Sequence, residues 1–98
     1  MKVRFLPLAR AELRAATAYY KAINQALAVS FKNEALDVRN LIEKHPLAWH
    51  PVEPPYRQCR FHRFPYAFIY EALETEIIVV AVAHLMRKPG YWRDRPGF

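Results

Sequence analysis

Ninety-eight residues, 53% hydrophobic and 24% charged, have the length and balance of one folded domain spanning 1–98, which excludes a multidomain enzyme and a disordered chain. Fifteen Lys and Arg against nine Asp and Glu leave a net charge of +6, so an anionic partner is expected: nucleic acid, an acidic protein segment or a membrane surface. The longest apolar run, Ile77 to Ala83, falls far short of the roughly 20 residues of a membrane helix, and the two glycines, Gly90 and Gly97, are too few for a phosphate-cradling loop.

Val3 and Phe5 alternate with Lys2 and Arg4 up to Pro7, which predicts a short strand. Charges at Arg10, Glu12 and Arg14 follow too closely for a signal core. Leu13, Ala16, Tyr20, Ile23 and Leu27 then recur at three and four, the spacing of one helix face. Phe31, Ala35, Val38 and Ile42 make a second stripe that ends at His45-Pro46, because proline lacks the N–H and disfavours helix before it. One helix from Ala9 to Lys44 would span about 54 Å at 1.5 Å per residue, against a radius of gyration of about 13 Å for a domain of this size. The run therefore folds back as a hairpin, with the break expected at Asn24-Gln25.

Pro46 to Tyr56 holds four prolines and no Gly or Ser, so it reads as an extended, ordered connector. Arg57 to Phe61 alternates, with Cys59 and Phe61 on one face and Arg60 and His62 on the other. Phe64 to Tyr70 is aromatic and β-branched, and Ile77 to Ala83 is apolar throughout, as a central strand covered on both faces would be. The short link Glu71 to Glu76 predicts a hairpin between them. The fold class is α+β: an N-terminal strand, an antiparallel helical hairpin and a mostly antiparallel sheet, in the order β-α-α-β-β-β. The tail from Arg87 to Phe98 is basic and aromatic.

Cations gather in two places. Arg57, Arg60 and Arg63 recur at every third position, and Arg87, Lys88, Arg93 and Arg95 crowd the tail around Tyr91 and Trp92. In a sheet these sets can share one surface, where arginine forks grip phosphate or carboxylate and aromatic rings stack. His62 and His84 are the side chains suited to acid–base work near neutral pH. Cys59 and His62 have the spacing of half a zinc site, but no second pair completes four ligands, so no metal and no cofactor is expected. Cys59 shares the apolar face with Phe61 and reads as inert packing. A single cysteine makes no internal disulfide, and the cytoplasm is the default compartment.

Several features in order carry a resemblance: the Ala11–Leu13 helix start with Tyr19-Tyr20, Ala28 and Phe31 on the second helix, Arg63-Phe64-Pro65-Tyr66, and the ending Ala83-His84-x-x-Arg87-x-Pro89-Gly90-Tyr91-Trp92-x-x-Arg95. Together they resemble the RelE/ParE toxins of type II toxin–antitoxin systems, on the ParE-like, plasmid-stabilisation side, over nearly the whole chain. The resemblance implies a cytoplasmic toxin held in a hetero-oligomer by a cognate antitoxin. ParE-like members inhibit DNA gyrase by binding. RelE-like members cut mRNA on the ribosome, attacking with the ribonucleotide 2′-hydroxyl.

For the ribonuclease alternative, His84, Arg87 and Tyr91 are the candidate catalytic residues. Target or nucleic-acid binding falls to Arg57, Arg60, Arg63, Arg87, Trp92 and Arg95 in either case. The second half has one lysine, Lys88, so a lysine-based catalytic set is absent. With the ParE-like ending, this favours the gyrase-binding toxin.

Overall fold

The computed structural model describes residues 1–95. The first strand, β1 (Lys2–Phe5), ends as expected before Pro7. Pro7 also starts α1 (Pro7–Ile23), two residues before the Ala9 of the sequence reading. At the first helical position its fixed φ is already helical and its missing N–H would have had no partner. Asn24 alone separates α1 from α2 (Gln25–Lys44). Its extended backbone (φ −164°, ψ 152°) breaks the helix, its N–H closes α1 on the Tyr20 carbonyl, and its side chain accepts from Leu27 N–H at 3.0 Å. The hairpin is thus encoded by one capping residue.

The four remaining strands are β2 (Pro51–Glu53), β3 (Tyr56–Arg60), β4 (Tyr66–Ala72) and β5 (Glu76–His84). The sheet order is β1-β5-β4-β3-β2, with β1 parallel to β5 and every other pair antiparallel. β2 corrects the reading of Pro46 to Tyr56 as connector alone. Proline is tolerated on an edge strand because its missing N–H faces outward. β4 begins at Tyr66 and not at Phe64, because Phe64 and Pro65 form a turn closed by the Tyr66 N–H on the Phe64 carbonyl. β5 is an interior strand, second from the β1 edge and buried from Ile77 to Ala83 between β1 and β4.

The helical hairpin covers one face of the sheet. The second stripe, Phe31, Ala35, Val38 and Ile42, is buried as read. The first stripe holds at Ala16, with Leu13 and Tyr20 half-buried, but Ile23 is 57% exposed at the end of α1, where the hairpin link leaves the core. Phe31 lies within 5.4 Å, ring centre to centre, of Tyr20, Phe61, Phe64 and Tyr66. Phe68 joins this layer through Phe5 and Phe61. Ala67 and Ile69, on either side of Phe68, point to the opposite face, as the two-residue period of a strand requires.

Candidate functional site

That opposite face is closed at one end by the C-terminal segment 85–95, a succession of turns folded back over the strands. Leu85 N–H bonds to the Pro65 carbonyl, and Trp92 buries its indole against Tyr56. Gly90 takes φ +75°, a conformation that costs glycine little, and the Arg93 guanidinium lies over it. Between segment and sheet lies a cleft of about 440 Å³. Arg60 reaches it from β3, His84 from the end of β5, and Arg87, Lys88 and Arg93 from the segment. Glu53, the one carboxylate on its wall among the described residues, is paired with Arg93. Among the described residues, Arg60, Arg87 and Lys88 have no carboxylate within 4.0 Å. The cleft therefore keeps exposed positive charge available for an anion.

The residues singled out from sequence divide into three groups. Arg60 and Arg87 do meet in the cleft. Arg57 and Arg63 do not join them: Arg57 donates to the Trp49 carbonyl at 2.6 Å, and Arg63 is exposed in the β3–β4 loop. Trp92 and Arg95 lie inward. Trp92 is 5% exposed, a core residue, and Arg95 is held in an internal ion pair. His84 packs edge-on against Tyr66 at 5.0 Å, and its Nδ1 accepts from Met86 N–H at 3.0 Å. A neutral ring so held carries its proton on Nε2. Cys59 is buried, which pushes its thiol up to about 11, while His62 is exposed in the loop. The two do not face a common site.

Sequence reasoning missed Glu12. From α1 its carboxylate accepts four hydrogen bonds: Val82 N–H (2.9 Å) and Arg95 Nη1 (2.7 Å) on Oε1, Tyr91 O–H (2.6 Å) and Arg95 Nη2 (2.7 Å) on Oε2. Arg95 Nη1 also reaches the Val80 carbonyl at 3.2 Å. Burial pushes the Glu12 carboxyl up, but the bonds from Arg95, Tyr91 and Val82 outweigh it and hold the group below its ordinary value of 4.5. Burial, and then the bond to Glu12, push the Tyr91 phenol well above its ordinary range.

A group whose pKa is depressed by folding stabilises the fold fully above its unfolded value and loses that contribution as pH falls through its folded one. The stability gap between wild type and Glu12→Gln is therefore expected to be constant near neutrality and to close below pH 4.5. Urea titrations of both proteins across that range measure it; a gap that persists in acid would refute the assignment.

A second depression lies on the helix side of the sheet, between α1, α2 and β1. It has a volume of about 720 Å³ and a floor that includes Val3, Phe5, Leu13, Ala35 and Phe68. Its rim carries Arg10, Arg14, Lys21, Lys32 and Arg39, and among the described residues no carboxylate lines it. Of these, Arg39 is paired with Glu43. The groove is thus apolar below and cationic above.

A family model described as "ParE toxin of type II toxin-antitoxin system, parDE" matches residues 3–89. The chain belongs to the ParE toxin family. As a type II toxin it has an antitoxin for a partner. A solved chain of the chromosomal ParDE system from P. aeruginosa superposes with a TM-score of 0.66, covering 87% of this chain and 96% of that one at 16% identity. The two share the α+β fold. No curated sequence matches the chain. The family match takes in Glu12, Arg60, His84 and Arg87 of the toxin and stops short of Tyr91 and Arg95.

Proposed function

We propose that the toxin acts by binding DNA gyrase and not by cutting RNA, and that the cleft beneath the C-terminal segment is the surface that engages the target. The observation that carries this reading is the bond from the Tyr91 hydroxyl to Glu12. Cleavage through a 2′-hydroxyl needs a base for that hydroxyl and an acid for the leaving oxygen. The Tyr91 hydroxyl donates its hydrogen bond to a carboxylate of its own chain, and burial with that bond keeps the phenol from ionising. The Nδ1 lone pair of His84 is spent on Met86 N–H. What the cleft does offer is unpaired guanidinium and ammonium groups at Arg60, Arg87 and Lys88, which bind anions without chemistry.

Toxin freed of antitoxin is the material for the test. In a gyrase supercoiling assay it is expected to inhibit. In a translating extract with a defined mRNA it is expected to leave no codon-phased cuts. Ribosome-dependent cuts without gyrase inhibition would overturn the reading. A charge-assisted hydrogen bond is worth about 1.5–3 kcal/mol, so Arg60→Ala and Arg87→Ala are each expected to raise the concentration needed for half-inhibition about tenfold or more. Inhibition at wild-type concentrations by the double variant would show that the cleft is not the binding surface.

The antitoxin takes the other face. The groove between α1, α2 and β1 suits an amphipathic segment with an apolar stripe and acidic flanks, since its floor is apolar and the charged side chains that line it, among the described residues, are cations. Reversing two rim charges, Arg14→Glu with Lys32→Glu, is expected to weaken antitoxin binding at least about tenfold at low salt and less at high salt. Titration calorimetry at two ionic strengths reads this out; unchanged affinity at low salt would move the antitoxin elsewhere. Both partners are cytoplasmic, so the toxin works in the cytoplasm.

A further inference from the structure

β5 runs from Glu76 to His84, but β1 pairs with it only as far as Val79 and the chain leaves the sheet at Leu6. Beyond that point the edge of β5 has lost its strand, and the Val80 carbonyl and Val82 N–H are left without ladder partners on that side. An open edge invites pairing with another chain. Here two side chains replace the missing strand: Glu12 takes the Val82 N–H, and Arg95 donates to the Val80 carbonyl. The same Glu12 carboxylate takes the Tyr91 hydroxyl and both Arg95 Nη atoms. Two guanidinium groups lie over the Tyr91 ring, Arg87 at 4.0 Å and Arg95 at 5.0 Å from its centre. A continuous chain of contacts therefore runs from α1, through Tyr91, to the cation at the mouth of the cleft.

We propose that Glu12 is a positioning residue that clasps the C-terminal segment to the open edge of β5 and so fixes Arg87 in the target-binding cleft. The functional half of this proposal rests on the reading of the cleft as the target surface; the clasp itself does not. Glu12 touches no target. It acts through Tyr91, whose ring holds the Arg87 guanidinium by its π face. The device joins Glu12, inside the matched residues 3–89, to Tyr91 and Arg95, which lie beyond them. Its chemistry is specific. A carboxylate offers acceptors only, and all four of its bonds come from donors. Glutamine of the same shape would turn an NH2 group toward some of those donors.

The test is Glu12→Gln in the full chain, with Tyr91→Phe as a milder second variant that removes one hydroxyl and keeps the ring beneath Arg87. In both, the amides of Tyr91, Arg93 and Arg95, bonded to the carbonyls of Lys88, Gly90 and Trp92, are expected to exchange hydrogen about tenfold faster or more, with β4 exchanging as in wild type. Gyrase inhibition by Glu12→Gln is expected to weaken about tenfold, while antitoxin affinity stays within about threefold. A loss of packing alone would add to the effect of Arg87→Ala. Positioning through Arg87 predicts that Arg87→Ala costs little further once Glu12 is glutamine.

Unchanged exchange in both variants overturns the clasp. Faster exchange with full inhibition, or strict additivity with Arg87→Ala, overturns the positioning role while leaving the cleft reading intact. Full inhibition by Arg60→Ala and Arg87→Ala as well removes the cleft reading, and the positioning role with it.

Discussion

Phe31→Ala is expected to destabilise the toxin by about 3–5 kcal/mol, the range for removing a fully buried phenylalanine. Phe31 is 0% exposed and is the one ring that Tyr20, Phe61, Phe64 and Tyr66 all touch. These four come from α1, the β3–β4 loop and the start of β4, so a cavity there loosens the hairpin from the sheet. Edge-to-face geometry adds about 0.5–1.5 kcal/mol per aromatic pair beyond the area buried. Phe31 meets Phe64 and Tyr66 steeply, at 89° and 70°, so the upper part of the range is the expectation. A domain of this size holds about 5–15 kcal/mol in all. The midpoint of thermal unfolding should therefore fall by roughly 15 °C or more. Phe31→Leu keeps most of the volume and should cost well under half as much. Thermal and urea unfolding of the two variants decide the matter. A loss under about 1 kcal/mol for alanine would mean that the rings close over the gap.

The helices and the interior strand β5 were legible because their signals are local. All four residues of the second stripe face the sheet, so period and burial agree along α2. Asn24 both ends one helix and caps the next, and a capping residue can be read from the chain itself. β2 was hidden because prolines erase the alternation that marks a strand, although an edge position accepts them. Ile23 keeps the period of its stripe but is exposed at the last position of α1, and period alone cannot show where cover stops.

The internal contacts of the tail were hidden for a different reason. Arg95 and Trp92 carry the composition of a binding surface. What makes them internal is a carboxylate 83 residues away from Arg95 and a ring contact with Tyr56. Pairings over such separations leave no trace in local pattern. The cleft was half legible: the sequence brought Arg60 and Arg87 to one surface, but it could not tell a free guanidinium from a committed one.

Glu34 is the other carboxylate that local pattern hid, and replacing it should have the second large effect on stability. It sits on α2 at 8% exposure, between the buried Phe31 and Val38. Its Oε2 accepts from His62 N–H at 2.6 Å and its Oε1 from Arg63 N–H at 3.1 Å. These two amides follow β3, where the chain has left the ladder and no strand carbonyl faces them. The carboxylate thus holds the turn that delivers Phe64 to the aromatic layer and sets the Pro65 carbonyl, which receives Leu85 N–H at the start of the C-terminal segment.

A buried donor left without an acceptor costs about 1–3 kcal/mol. Glu34→Leu fills the same space with no acceptor and should cost about 1–3 kcal/mol in all, since the two amides belong to exposed residues and water reaches them in part. Glu34→Ala leaves room for a water to stand in and should cost less. Glu34→Gln keeps one carbonyl oxygen and should cost least. In the order Leu, Ala, Gln, from most to least damaging, leucine stands first, whereas apolar burial alone would make it the least damaging, since leucine buries the most hydrocarbon. Urea unfolding of the three variants reads the order directly. A leucine variant as stable as wild type would show that these amides find partners without the carboxylate.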